Sequence, residues 1–185
     1  MNIHYDTFIS GEVVDLVVLT SEIVDKTDWY NWFNDEENNI NSQNHRFPNS
    51  KEKQMEFFKT EIENSTTKLQ LGILHKSDKV LIGTISLKNI DYLNGKCELS
   101  GVIGEKKYQT LKPYMEASDL IIRHAFEQLN MNRVYSGTLS IDIMKMFIRI
   151  LGFEREGTLK QDVYKNGQYL DVYLYALTKD KYYSD

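Results

Sequence analysis

The apolar and polar positions are most clearly patterned between residues 96 and 128. Residues 96–103 are short and alternating, and they predict a strand. A polar turn follows. Then Ala117, Ile121, Ile122, Ala125, Phe126 and Leu129 recur at helical spacing and predict a long amphipathic helix with one broad buried face. Pro113 is expected at the first position of that helix, where its missing N–H would have no partner in any case. A strand that feeds a helix through a turn aims several backbone N–H groups, and the positive end of the helix dipole, at one spot. Such a spot is a generic site for a phosphate or pyrophosphate.

Upstream, residues 13–19 are rich in β-branched side chains and predict a strand, with Thr20 or Ser21 capping a helix that turns Ile23, Val24 and Trp29 inward. A polar loop is expected over residues 40–47. Asn49 and Glu52 have capping-box spacing for a helix reaching about Ile62. Residues 69–75, 80–87 and 96–103 read as three strands in antiparallel succession, the last pair joined at Asn94-Gly95. Downstream come a strand over residues 132–139, a helix capped by Ser140 or Asp142 and stopped by Gly152, and a hairpin closed at Asn166-Gly167. The order predicts an α/β protein of mixed α+β type. Its central sheet is mostly antiparallel, of six to seven strands, with helices on both faces.

Composition narrows the function classes. The 185 residues fit one domain, 1–185, and the net charge of −5 with no basic cluster speaks against a nucleic-acid binder. One cysteine, Cys97, excludes an internal disulfide and suits a reducing compartment. The opening MNIHYDTF lacks the basic-then-apolar order of a signal peptide, and no apolar run is long enough to cross a bilayer. A cytoplasmic protein is therefore expected. No His, Cys and Asp cluster has metal-ligand spacing, so no metal is expected.

Several phrases, in order, resemble the Gcn5-related N-acetyltransferase (GNAT) superfamily, in its ribosomal-protein alanine N-acetyltransferase (RimJ/RimL-like) branch. They are YNWFNDEENN with RFPNS, IGTISLKNID, CELSGVIGEKKY, LNMNRVYSGTLS, LGFEREG and YKNGQYLDVYLYAL. The resemblance covers about residues 13–181. It implies the GNAT fold, with pantetheine threaded where the strand from Lys96 splays from the strand at Arg133. It also implies acetyl transfer from acetyl-CoA to a primary amine of a small molecule, such as a nucleotide-linked amino sugar, or to a protein N-terminus. No nucleic acid or membrane partner is implied; a homodimer is one candidate assembly, and a structural subunit of a heteromer whose partner holds the working site is another.

By the same resemblance Glu98 is the general base, placed on the central strand between Cys97 and Leu99. The backbone at Val102 and Ile103 would meet the thioester and pantetheine. The family's pyrophosphate cradle runs Gln or Arg, two residues, Gly, one residue, then Gly or Ala. Here Gln109, Thr110, Lys112 and Tyr114 fall on that stretch; the glutamine matches and both small positions are lost. The ammonium of Lys112 is expected to restore part of the anion binding. Relatives also carry an Asn and a proton-donating Tyr on the last helix. Ile141 and Ile148 stand there, leaving Tyr135, Tyr108 or a water as the acid. Asn34, His45, Arg46, Tyr169 and Asp171 are the candidates for the acceptor pocket. The altered cradle keeps a second reading open, a GNAT-fold pseudoenzyme or binding protein that has lost normal acetyl-CoA binding.

Overall fold

The hydrophobic alternation resolves into a single sheet because each strand has one apolar side to bury. In the computed structural model, which describes residues 3–42 and 46–184, eight strands form it. They are β1 (Thr7–Ser10), β2 (Val14–Val18), β3 (Leu69–His75), β4 (Val80–Asp91), β5 (Lys96–Ile103), β6 (Arg133–Thr138), β7 (Glu154–Lys165) and β8 (Gln168–Thr178). The order across the sheet is β1-β2-β3-β4-β5-β6-β8-β7. Every pairing is antiparallel except β5 with β6. The pattern-based strand count was low by one, because β1 is only four residues long and barely alternates.

Helices cover both faces. The helix α4 (Leu111–Glu127) and α5 (Ile141–Leu151) bury Ala117, Ile121, Ala125, Phe126 and Phe147 against Leu87, Cys97, Leu99 and Val134. On the other face α1 (Ser21–Lys26), α2 (Trp29–Trp32) and α3 (Lys51–Phe57) enclose a smaller core of Val17, Ile23, Trp29, Trp32, Phe58 and Leu74. Four helix expectations shift in detail. The first helix breaks at Thr27, whose hydroxyl and N–H both donate to the Ile23 carbonyl. Ser50, not Asn49, caps α3, because the Asn49 side chain is spent on Tyr30, Gln54 and Ser50. A π turn over Phe58–Ile62 extends α3. Pro113 is the third residue of α4 rather than the first, still within the turn whose N–H groups lack intrahelical partners. Gly152 ends α5 with φ +72, and Asn166 and Gly167 close the last hairpin with φ +49 and +81. A short helix, α6 (Lys179–Tyr182), follows β8. Among the described residues, no helix is long and apolar enough to cross a membrane.

Candidate active site

The parallel seam decides where the site lies. β5 and β6 are in register for three pairs only: Lys96 with Arg133, Cys97 with Val134, and Glu98 with Tyr135. Beyond Glu98 the strands part, while β5 stays paired with β4 as far as Ile103. One side chain still crosses the gap, the Ser136 hydroxyl donating to the Leu99 carbonyl at 2.9 Å. The expected splay is present, and a cleft of about 830 Å³ opens along it.

Alternation builds the floor of this cleft. Leu87 and Leu99 point to the α4 side, so Ser86, Lys88, Glu98 and Ser100 face the other way, opposite one another across β4 and β5. With Gln70 and Thr84 they line the cleft. Phe33 and Phe57 supply aromatic wall, and Asn38, Asn39 and Ser42 supply amide and hydroxyl wall. That wall is fastened at three points. Buried Asn39 donates through Nδ2 to the Trp32 and Asp35 carbonyls, Asn38 donates to the Gly104 carbonyl, and Lys165 donates to the Asn39 and Ser42 carbonyls.

Glu98 uses both oxygens. Lys88 approaches Oε1 at 3.0 Å, and Asn89 donates to Oε2 at 2.9 Å. Asn89 reaches it because its backbone is left-handed, φ +51, at a bulge in β4. The carboxylate is part-exposed, its side chain at 26%, so it is partly desolvated beside Cys97 and Leu99 and still borders solvent. Tyr135 stands beside it in register, its phenol pushed up first by burial and then by the Glu98 charge.

Gln109 turns its amide inward, donating to the Ile103 carbonyl at 3.0 Å and to Asn38 Oδ1 at 2.6 Å. Thr110 is the N-cap residue of α4 but makes no side-chain cap bond, so the first N–H groups, of Leu111 and Lys112, point outward without an intrahelical partner. Tyr114 does not lie across that turn. Its ring folds beneath β5, the hydroxyl 3.4 Å from the Gly101 carbonyl and the ring edge-on to Phe147 at 5.9 Å. A Cβ on Gly101 would meet Tyr114 at 3.1 Å, so glycine here makes room for the tyrosine. Burial pushes the Tyr114 phenol well above its ordinary value.

The structure therefore brings Glu98, Val102, Ile103, Gln109, Thr110 and Tyr114 together along one cleft. Lys112 is not with them. It lines a separate hollow with Ser10, Gly11, Glu12 and Glu116, because one residue of helix turns it to the outer face. Of the acceptor candidates, Asn34 is a turn clamp exchanging bonds with Asn49. Arg46 donates to the Tyr164 carbonyl at 3.1 Å. Asp171 accepts from Lys160 and from the Gln161 N–H, which hold its carboxyl below the usual range. Tyr169 is exposed and packs against Tyr164 with the two rings tilted. None of these four lines the cleft, and His45 lies outside the described residues. The sequence reading passed over Lys88, Asn89, Lys165, Ser136 and Tyr175. Only the register could place Lys88 opposite Glu98, and nothing local marks the others.

The chain matches a family model described as an acetyltransferase (GNAT) domain over residues 21–174. It is 31% identical over 112 residues to YdaF of Bacillus subtilis (strain 168), named as a candidate ribosomal N-acetyltransferase, a match covering 60% of each chain. It is 29% identical over 119 residues to p20 of Bacillus licheniformis, an uncharacterized N-acetyltransferase, covering 61% of this chain and 64% of that one. The chain thus spans roughly three fifths of the length of the curated relatives it matches. Among solved structures it resembles spermidine N-acetyltransferase from Vibrio cholerae in complex with CoA and spermine, with a TM-score of 0.80 at 20% identity, covering 91% of this chain and 97% of that one. A chimera of that enzyme aligns with a TM-score of 0.81 at 18% identity, covering 94% and 100%.

Proposed function

The chain belongs to the GNAT acetyltransferase family, and from that premise we propose that it is an acetyl-CoA-dependent N-acetyltransferase, one domain over residues 1–185, acting on a primary amine with Glu98 as general base. The observation that carries this reading is the meeting of Glu98 and the splayed end of β5 in one cleft. When bound, the cofactor supplies an acetyl thioester.

The residues present fit it. The uncapped N–H groups of Leu111 and Lys112 offer an anion two donors and a helix dipole. The β5 edge from Ser100 to Ile103, freed from β6, offers backbone groups to an extended amide chain. Tyr114 leaves the turn open by folding under the strand. Pro113 removes one N–H, and Lys112 faces the other hollow, so the cradle is thinner than in relatives with glycines.

Glu98 takes the proton of the attacking amine, directly or through one water. Lys88 and Asn89 hold its carboxylate at the cleft floor. The hydroxyl and amide floor of Gln70, Thr84, Ser86 and Ser100 suits a neutral, hydroxyl-rich amine such as an amino sugar. Among the described residues two carboxylates line the cleft, Glu98 and Glu37; Glu98 is paired with Lys88, and Glu37 shares Lys106 with Asp35, which leaves little unpaired negative charge for a polycation. Calorimetry with acetyl-CoA, followed by turnover with glucosamine, spermine and an N-terminal alanyl peptide, tests the reading. Acetyl-CoA binding with glucosamine as the preferred acceptor is expected. Failure of millimolar acetyl-CoA to raise the melting temperature would overturn the enzyme reading. It would leave the binding-protein reading, which the loss of the Pro113 donor favours.

A further inference from the structure

Glu98 already holds an amine, one that belongs to the chain itself. Any acceptor must bring its nitrogen within hydrogen-bond reach of the base that deprotonates it. Lys88 Nζ lies there, 3.0 Å from Oε1, while Asn89 holds Oε2 at 2.9 Å. The register explains the approach. Lys88 on β4 stands directly opposite Glu98 on β5, and both line the cleft. Glu98 is also the last β5 residue paired with β6, so the edge freed for the cofactor begins one residue further on. The Lys88 side chain thus carries its nitrogen from β4 to the strand that borders the gap.

The other ammonium groups nearby are placed differently. Lys165 donates to the Asn39 and Ser42 carbonyls and fastens the wall. Lys106 is shared by Asp35 and Glu37. Lys112 faces the outer hollow. Among the described residues, Lys88 is the one lysine that lines the cleft. As an ion pair the contact contributes little stability, since both side chains are part-exposed. An ion pair and an acceptor also make different demands. The pair needs only a positive charge, whereas the acceptor needs a nitrogen that can give up a proton and attack. Lysine meets both demands and arginine only the first.

We infer that Lys88 is an acetyl acceptor within its own chain, so that the protein, given acetyl-CoA and no other amine, modifies itself at this position. The inference rests on the acetyl-CoA reading above, with Glu98 as base. The Lys88 ammonium gives one proton to Glu98, which passes it to water. The freed nitrogen attacks the thioester carbonyl carbon. As the carbon–nitrogen bond forms the carbon–sulfur bond breaks, its electron pair leaves with sulfur, and the thiolate takes a proton from solvent. The products are Nε-acetyllysine and CoA. A neutral amide then stands where the ammonium stood, and Glu98 is left without its counter-charge.

The test follows the label. The parent, Lys88→Arg and Glu98→Gln are incubated with millimolar acetyl-CoA and no amine, and acetylation is followed by intact mass and by peptide mapping. Uncatalysed acetylation favours the more accessible amine, and the Lys145 side chain on α5 is 65% exposed against 35% for Lys88. Lys145 is therefore the internal reference. In the parent, Lys88 should label roughly a hundredfold faster than Lys145, and the rate per chain should not change with protein concentration, as a step within one chain requires. Glu98→Gln should remove that advantage, and Lys88→Arg should leave only the slow, scattered background. A thermal melt with acetyl-CoA accompanies each protein. A parent stabilised by acetyl-CoA whose Lys88 labels no faster than Lys145 overturns the proposal and leaves the acetyl-CoA reading standing. Fast labelling of Lys88 that persists in Glu98→Gln overturns it as well. A parent neither stabilised nor labelled overturns both.

Discussion

Glu98→Gln separates catalysis from stability at the centre of the site. The substitution keeps the shape of the side chain and removes its charge. Asn89, now 2.9 Å from Oε2, can still donate to an amide oxygen, so one of the two bonds survives. Lys88, now 3.0 Å from Oε1, loses its counter-charge. Both side chains are part-exposed, at 35% and 26%, so the pair is screened, and its loss should cost only about 0.5–1 kcal/mol. For a chain of this size that is a fall in Tm of roughly 1–4 °C. If Glu98 is the general base, turnover should fall by roughly 10²–10⁴-fold, or about 2.7–5.4 kcal/mol of barrier. The activity loss would then exceed the stability loss several times over. Free thiol released from acetyl-CoA with the preferred amine reports the first, and a thermal melt the second. The loss should shrink at high pH, where more of the amine is already neutral. Equal rates for the two proteins at every pH would remove Glu98 from the mechanism.

Gly104→Ala should lower Tm by several degrees, about 1–3 kcal/mol of overpacking, because the new Cβ would stand 2.0 Å from the Trp32 ring; an unchanged melt would refute the packing described here. Lys165→Met should raise KM for the amine about tenfold and leave CoA affinity unchanged, since it frees the Asn39–Ser42 wall alone; a matching loss of CoA affinity would show that the wall serves both ligands. Burial raises the phenols of Tyr114 and Tyr175, so their contribution to stability is complete below about pH 10, the unfolded value, and is lost as pH rises toward 12. Melts between those limits should decline in the parent and decline less in Tyr175→Phe; identical slopes would mean that Tyr175 is not the buried phenol that titrates.

The elements that could be read from sequence are those fixed by neighbouring residues. Asn166-Gly167 and Gly152 adopt the left-handed backbone their positions demand, and the apolar stripe of α4 lies where its spacing put it. Placement along the candidate cleft was legible where a strand or turn position sufficed, as at Glu98, Val102, Ile103 and Gln109. It was not legible where side-chain direction or long-range register decides. Lys112 and Tyr114 are two residues apart, yet helical rotation sends one to the outer hollow and the other beneath β5. Lys88 meets Glu98 across a hairpin whose register is shifted by the bulge at Asn89. Ser136 and Tyr175 acquire their setting only once β6 pairs with β8, 39 positions apart in the chain.

The three-pair seam between β5 and β6 has a mechanical consequence. Among the described residues it is the only parallel junction in the sheet, and it joins an antiparallel panel of five strands to one of three. A panel edge held at one end behaves as a flap on a short pin, with α4 as the strut that carries the chain from one side to the other. A molecule lying along the open edge would act as a temporary ninth strand, lending the two panels the backbone bonds they do not give each other. Occupancy would then be felt as stiffness: the β5 amides between Ser100 and Ile103 that face the gap, alternating with those bonded to β4, would exchange their hydrogens freely in the empty protein and slowly in the filled one.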